Sequence, residues 1–107
     1  MTEVIARVGN LTKDPVINEV NGKKVANFTL AQNYRIGSGD DAQEHTRYLE
    51  CSFWEKGAER AEEKLKAGDQ VVITDGFVHT VTTDKDGKTY TNHQLRNANY
   101  FYKVDNG

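Results

Sequence analysis

The sequence predicts an all-β protein: a small five-stranded Greek-key barrel with one short α-helix between strands 3 and 4. Three observations predict it. Residues 48–54, Tyr-Leu-Glu-Cys-Ser-Phe-Trp, alternate as a strand does when its two faces meet different surroundings. Asn21-Gly22 and Asp86-Gly87 are hairpin turn signals between long strand-like stretches. Residues 55–67 alone switch to the helical period.

In chain order, residues 2–8 read as the first strand, with Val4, Ile5, Ala6 and Val8 around a lone Arg7. Asp14-Pro15 is a turn, closed by the chain's only proline. Residues 16–20 and 23–32 are the arms of a hairpin about Asn21-Gly22. In the second arm Val25, Asn27, Thr29 and Ala31 alternate with Ala26, Phe28, Leu30 and Gln32. Residues 36–44 contain Gly37-Ser38-Gly39-Asp40-Asp41 and read as a mobile loop. No lysine follows those glycines, so this is not a phosphate-binding loop. Residues 45–54 are the central strand. Over 55–67, Ala58, Ala61 and Leu65 recur at helical spacing, and Gly68 stands where a helix ends. Residues 71–83 and 88–104 are the last two strands, with Leu95, Tyr100, Phe101 and Tyr102 as the final apolar content. No repeat or linker interrupts residues 1–107, which read as one domain.

A chain of 107 residues can bury one modest core. No apolar run approaches a membrane span, and Met-Thr-Glu-Val-Ile is not a signal peptide, so the cytoplasm is the expected compartment. With a single cysteine there is no internal disulfide and no cysteine cluster for zinc. Cys51, on the apolar face of its strand, reads as a buried structural thiol. The net charge of −2 argues against a broad basic surface, but the charge is uneven. Residues 40–69 hold nine acids against five bases, a net −4, which leaves +2 for the rest of the chain. His45, His79 and His93 are scattered without metal-ligand spacing, and no Ser-His-Asp or Cys-His grouping can be assembled. Neither catalysis nor a metal or other cofactor is expected.

The two faces of the central strand carry the functional reading. Leu49, Cys51 and Phe53 form a uniformly apolar face. Tyr48, Glu50, Ser52 and Trp54 put large aromatics at both ends of the other, with polar groups between. That is a poor core and a good platform for unpaired bases, which stack on spaced strand aromatics. The competing reading makes Tyr48 and Trp54 a second core layer or half of a subunit interface. Arg35, Lys85, Lys88 and Arg96 sit in or beside the hairpins, where they serve either solubility or phosphate contact.

Three strands, a short helix and two strands make the element order of the OB-fold, which presents one strand face and its hairpin loops to oligonucleotides. The chain also resembles the DNA-binding domain of bacterial single-stranded DNA-binding proteins over nearly its whole length. Gly9-Asn10-Leu11-Thr12-Lys13-Asp14-Pro15 resembles that family's first strand and turn. Asn21-Gly22 with residues 25–31 resembles its second strand, and residues 48–54 with Lys56 and Ala58-Glu59 resemble its third strand and helix start. The resemblance implies an oligomeric, non-catalytic OB-fold, a homotetramer or alternatively a homodimer. Its partner is single-stranded DNA in replication, repair and recombination. Tyr48 and Trp54 match the family's base-stacking positions, Tyr34 lies near another, and Lys56 matches a basic residue near the DNA path. Lys13 matches a turn lysine to which no role is given.

Two departures bear on affinity. Where the family has an aromatic and arginines in its fourth strand, a gapless register puts Thr80 and Thr82, with His79 and Val81 between; Asp75-Gly76 also leaves the register of the family's strand-four glycine open by one residue. Glu50, at an often basic or neutral position, lies between the two stacking aromatics. The expected binder therefore relies on stacking and is weaker than its relatives, with Tyr34, Arg35, Tyr48, Trp54, Lys56, His79, Lys85 and Lys88 as its nucleic-acid-contacting residues. The chain stops at Lys103-Val104-Asp105-Asn106-Gly107 without the family's acidic tail peptide, so tail-reading replication partners are not expected. The alternative is an OB-fold protein-interaction module of a primosome or recombination complex that binds nucleic acid weakly.

Overall fold

The computed structural model describes residues 6–104. Strands β1 (Arg7–Leu11), β2 (Val16–Val20) and β3 (Lys23–Ile36) lead through a 3₁₀ turn (Gly39–Asp41) into β4 (Gln43–Trp54). Helix α1 (Lys56–Lys64) follows, then β5 (Gln70–Ile73), β6 (Phe77–Lys85), β7 (Lys88–Arg96) and β8 (Tyr102–Lys103). The OB-fold class stands, but five strands become eight segments. The hairpin arms over 16–32 are separate strands, β2 and β3; the fourth expected strand breaks into β5 and β6 around residues 74–76, and the fifth into β7 and β8. Residues 2–5 of the expected first strand lie outside the described residues.

The hydrogen-bonded order is β6-β7-β4-β3-β1-β5-β8, with β2 also on β3. The sheet does not close through its ladder. Its β5 and β6 stations are instead successive pieces of chain joined through residues 74–76, so the barrel is completed covalently. Gly76 makes that corner possible. Its φ is +80°, and a Cβ there would stand 2.6 Å from the Arg96 carbonyl oxygen and 3.0 Å from the Ala98 amide nitrogen. No side chain fits there. The corner is tied down by Arg7 Nη1, which donates to the Asp75 carbonyl (3.1 Å), and by the Asn99 amide, which donates to Asp75 Oδ2 (2.7 Å).

Two long antiparallel hairpins dominate. β3 and β4 pair from Val25↔Trp54 to Ile36↔Gln43, so the connection expected over 36–44 shrinks to residues 37–42. β6 and β7 pair from Phe77↔Arg96 to Lys85↔Lys88. Asn21-Gly22 (φ 52°, 78°) and Asp86-Gly87 (φ 53°, 75°) have the two successive positive φ values that a tight hairpin turn needs. The two hairpins join only through a short parallel ladder, Leu49↔His93 to Cys51↔Leu95.

The core lies where β4's apolar face meets β3, β5, β7 and α1. Leu30, Leu49, Phe53, Val71, Ile73, Ala58 and Ala61 are fully buried. Phe53 stacks on Phe28 (5.6 Å between ring centroids) and meets Phe101 edge-on (5.4 Å). α1 covers this end of the barrel with Ala58 and Ala61, small enough to bring the helix close to β3 and β4. It ends at Lys64, not at 67, and Gly68 does not cap it. The reason is tertiary. The Gly68 amide donates to the Leu11 carbonyl (2.8 Å), and the Leu11 amide donates to the Asp69 carbonyl (2.9 Å). Asp14 Oδ1 accepts from the Ala67 amide (2.8 Å). Hydrogen bonds to the β1 region replace one more helical turn.

Candidate nucleic-acid interface

β4 alternates as its sequence predicts. Leu49, Cys51 and Phe53 are buried, while Tyr48 (58 % exposed) and Trp54 (48 % exposed) point outward with Glu50 and a half-buried Ser52. The second-core-layer reading of those two aromatics does not describe this chain. The ladders extend the outer face sideways, because directly paired residues share a face. Thr29 pairs Glu50, Glu50 pairs Gln94, and Gln94 pairs His79, which makes one polar row across β3, β4, β7 and β6. Next to it, Ser52 Oγ donates to Asn27 Oδ1 (2.6 Å) across β3 and β4. Arg96 Nη2 donates to Gln94 Oε1 (2.9 Å).

Two recesses run beside this face. The larger has Asn27, Thr29, Glu50, Ser52 and Trp54 along it, with Lys13 and Val16 on one side, Arg96 and Tyr100 on the other, and Lys56 at the helix start. The smaller lies where the two hairpins part, between Tyr34, Thr46 and Tyr48 of one and Thr91, Asn92 and His93 of the other. Trp54 is set at the strand-to-helix junction by Glu55, whose backbone takes φ 55°, ψ −116° and whose amide donates to the Lys24 carbonyl (2.8 Å).

The expected contact residues fall into groups. Trp54 and Lys56 share the larger recess, Tyr48 and Tyr34 the smaller, and His79 ends the polar row on β6. Tyr34 pairs His45, which puts it on the opposite strand face from Tyr48, and its ring stacks on the His45 imidazole (5.4 Å between centroids). Arg35, opposite Glu44, lies out along the first hairpin, and Lys85 and Lys88 face each other across the tip of the second. None of these three lines either recess.

The structure also brings in residues that sequence reasoning passed over. Phe77 (48 % exposed) and Tyr90 (51 % exposed) are on the outer face of β6 and β7, and Tyr100 (60 % exposed) borders the larger recess. A period-two reading of β7, with Leu95 on the core side, was the available signal for Tyr90 and Gln94.

Among the described residues the ion pairs are Lys24–Glu62 (2.6 Å), Lys23–Glu55 (3.9 Å) and Lys103–Asp69 (3.5 Å). The Lys24 ammonium is pushed up from its ordinary value by its hydrogen bond to Glu62. Lys13, Lys56, Lys85, Lys88 and Arg35 are in no ion pair among the described residues, so their charge is available to an anionic ligand. Those residues also contain no group of three or more His, Cys, Asp or Glu placed to hold a metal ion. None of their helices is long and apolar enough to cross a membrane.

An OB-fold with an exposed aromatic and polar strand face, backed by a buried apolar one, has the kind of surface that this fold class commonly presents to oligonucleotides. Comparison with known proteins makes the assignment closer. The family model described as the single-strand binding protein family matches residues 1–101. The chain belongs to that family. A single-stranded DNA-binding protein of Bacillus cereus is 34% identical over 110 residues, covering 100% of this chain and 64% of its own length. One from Halalkalibacterium halodurans is 36% identical over 85 residues, covering 78% of this chain and 49% of its own. This chain thus spans about half to two thirds of the length of such relatives. The small single-stranded DNA-binding protein from Streptomyces coelicolor shares the fold, with a TM-score of 0.75 at 24% identity, covering 97% of this chain and 96% of that one. A Plasmodium falciparum SSB in complex with single-stranded DNA superposes with a TM-score of 0.71 at 22% identity, over 98% and 96%.

Proposed function

We propose that this chain, acting as one domain, binds single-stranded DNA without sequence specificity and protects it during replication, repair or recombination. Bases stack on Trp54 and Tyr48, with Phe77, Tyr90 and Tyr100 extending the platform, and Lys56, Lys13 and Arg96 meet phosphates at its margin. Tyr34, Arg35, His79, Lys85 and Lys88 serve strand that continues along the hairpins. The observation that carries the reading is β4, whose buried face completes the core while its outer face leaves two large aromatics in solvent. Exposed aromatics spaced along a strand are what a stacking partner uses. Family membership supports the same partner, and the role is non-catalytic and cytoplasmic. Titrating Trp54 fluorescence with oligo-dT of graded length tests it. Saturable quenching that weakens with salt is expected, and an indole that does not respond to any length rules the reading out.

The assembly we propose is a homotetramer, with a dimer as the alternative. Exposed Val8, Val16 and Val20 on β1 and β2, and exposed Tyr102 on the edge strand β8, are apolar surface suited to burial in a partner copy. Light scattering at micromolar concentration is expected to give a multiple of the 12.1 kDa chain mass; a monomer mass excludes it.

A further inference from the structure

We infer that Glu50 biases this interface toward bases that present hydrogen-bond donors, guanine first, then cytosine and adenine, and away from thymine. The inference rests on the reading of the outer face as a single-stranded DNA site. Glu50 occupies the middle of that face, between Tyr48 and Trp54 on one strand and between Thr29 and Gln94 across the ladders. It borders both recesses. Its carboxylate is exposed and has neither an ion pair nor a side-chain hydrogen bond among the described residues. Arg96, two residues beyond Gln94 on β7, is turned onto Gln94 Oε1 instead.

A carboxylate in that position does two things. It repels phosphate, so the backbone runs along the rim, where Lys13 and Lys56 stand, and the bases turn inward. It also faces those bases as an acceptor only. Glu50 lies two residues from Tyr48, about 7 Å along the strand, so a base stacked on Tyr48 reaches it with an edge. In a single strand the Watson–Crick edge is free to be read. Guanine offers two adjacent donors there, N1–H and N2–H₂, which match the two carboxylate oxygens. Cytosine offers N4–H₂ and adenine N6–H₂. Thymine offers one N–H flanked by two carbonyl oxygens, both of which the carboxylate repels. The result is a bias in base composition, laid over binding that tolerates any sequence.

The test compares wild type with Glu50→Gln on oligo-dT and oligo-dC of equal length, and on oligo-dT with isolated dG insertions (runs of dG fold on themselves). Glu50→Gln removes the charge, keeps the shape, and supplies an amide N–H to thymine O4. The expected result is oligo-dT bound about threefold to tenfold more tightly by the variant, with oligo-dC changed by less than about twofold. The advantage that dG insertions give the wild type is expected to shrink in the variant. Equal tightening on all three strands makes Glu50 a general repeller of DNA and overturns the inference, as does an unchanged dC-to-dT ratio. If wild type binds none of the strands, the single-stranded DNA reading itself has failed and the inference falls with it.

Discussion

At the scale of single residues, β4 assigns opposite roles to neighbours. Trp54→Ala removes a stacking surface worth ~1–3 kcal/mol, so oligonucleotide affinity is expected to fall roughly tenfold. The salt dependence should hold, since no phosphate contact is lost, and the urea midpoint should move little, since a half-exposed ring leaves no core cavity. Unfolding by this substitution would return Trp54 to the core. Three residues earlier, burial pushes the Cys51 thiol from its ordinary 9.0 up to about 12. Below pH 9.0 folded and unfolded chains both hold this proton and it adds no pH dependence. Between 9.0 and about 12 only the folded chain keeps it, so stability falls as pH rises, by at most about 1.4 kcal/mol per pH unit. Cys51→Ala abolishes that slope. Parallel urea titrations are expected to show the wild-type advantage over Cys51→Ala shrinking above pH 9.0. The Lys24–Glu62 pair, whose lysine is also pushed up from its ordinary value, is common to both proteins and cancels. A constant gap contradicts the assignment.

At the scale of elements, the corner at Gly76 decides whether β5 and β6 can lie on opposite stations of the sheet. Gly76→Ala meets both a positive φ and the Arg96 carbonyl, and should cost about 2 kcal/mol or more. Gly87→Ala shares the positive φ with open space around it, and should cost about 1 kcal/mol. Denaturant midpoints separate the two, and equal costs would remove the clash from the account. This corner also marks where sequence reading stops. β4 was legible from His45 to Trp54 because its two faces differ in kind, and both hairpin turns because Asn-Gly and Asp-Gly supply the positive φ values. The break at residues 74–76 was not, since residues 71–83 read as one strand straight across Asp75-Gly76, and only the approach of Arg96 and Ala98 fixes the corner there. The helix end was missed because bonds to Leu11 and Asp14 come from 53 or more residues away in sequence. Tyr34 could not be placed until its pairing with His45 fixed which face it takes.

At the scale of the whole molecule, the chain carries a net charge of −2, and the cations of the outer face stand at its margin. A shallow salt dependence is expected. Lys56, exposed beside Trp54, should contribute one contact to it, so Lys56→Ala lowers the slope of log affinity against log salt by about 0.7. An unchanged slope removes Lys56 from the site. The short parallel ladder between the hairpins bears on how such a molecule can evolve. Beyond Leu49 and His93 neither arm relies on the other for pairing, and each closes on its own turn. Adding or deleting one residue on both strands of an arm keeps the cross-strand pairing, and doing so in steps of two keeps the inside and outside faces. Reach along a ligand can therefore change by whole pleats while the barrel beneath stays as it is. A single-residue insertion on one strand instead breaks the match between the two strands and has to be taken up as a bulge.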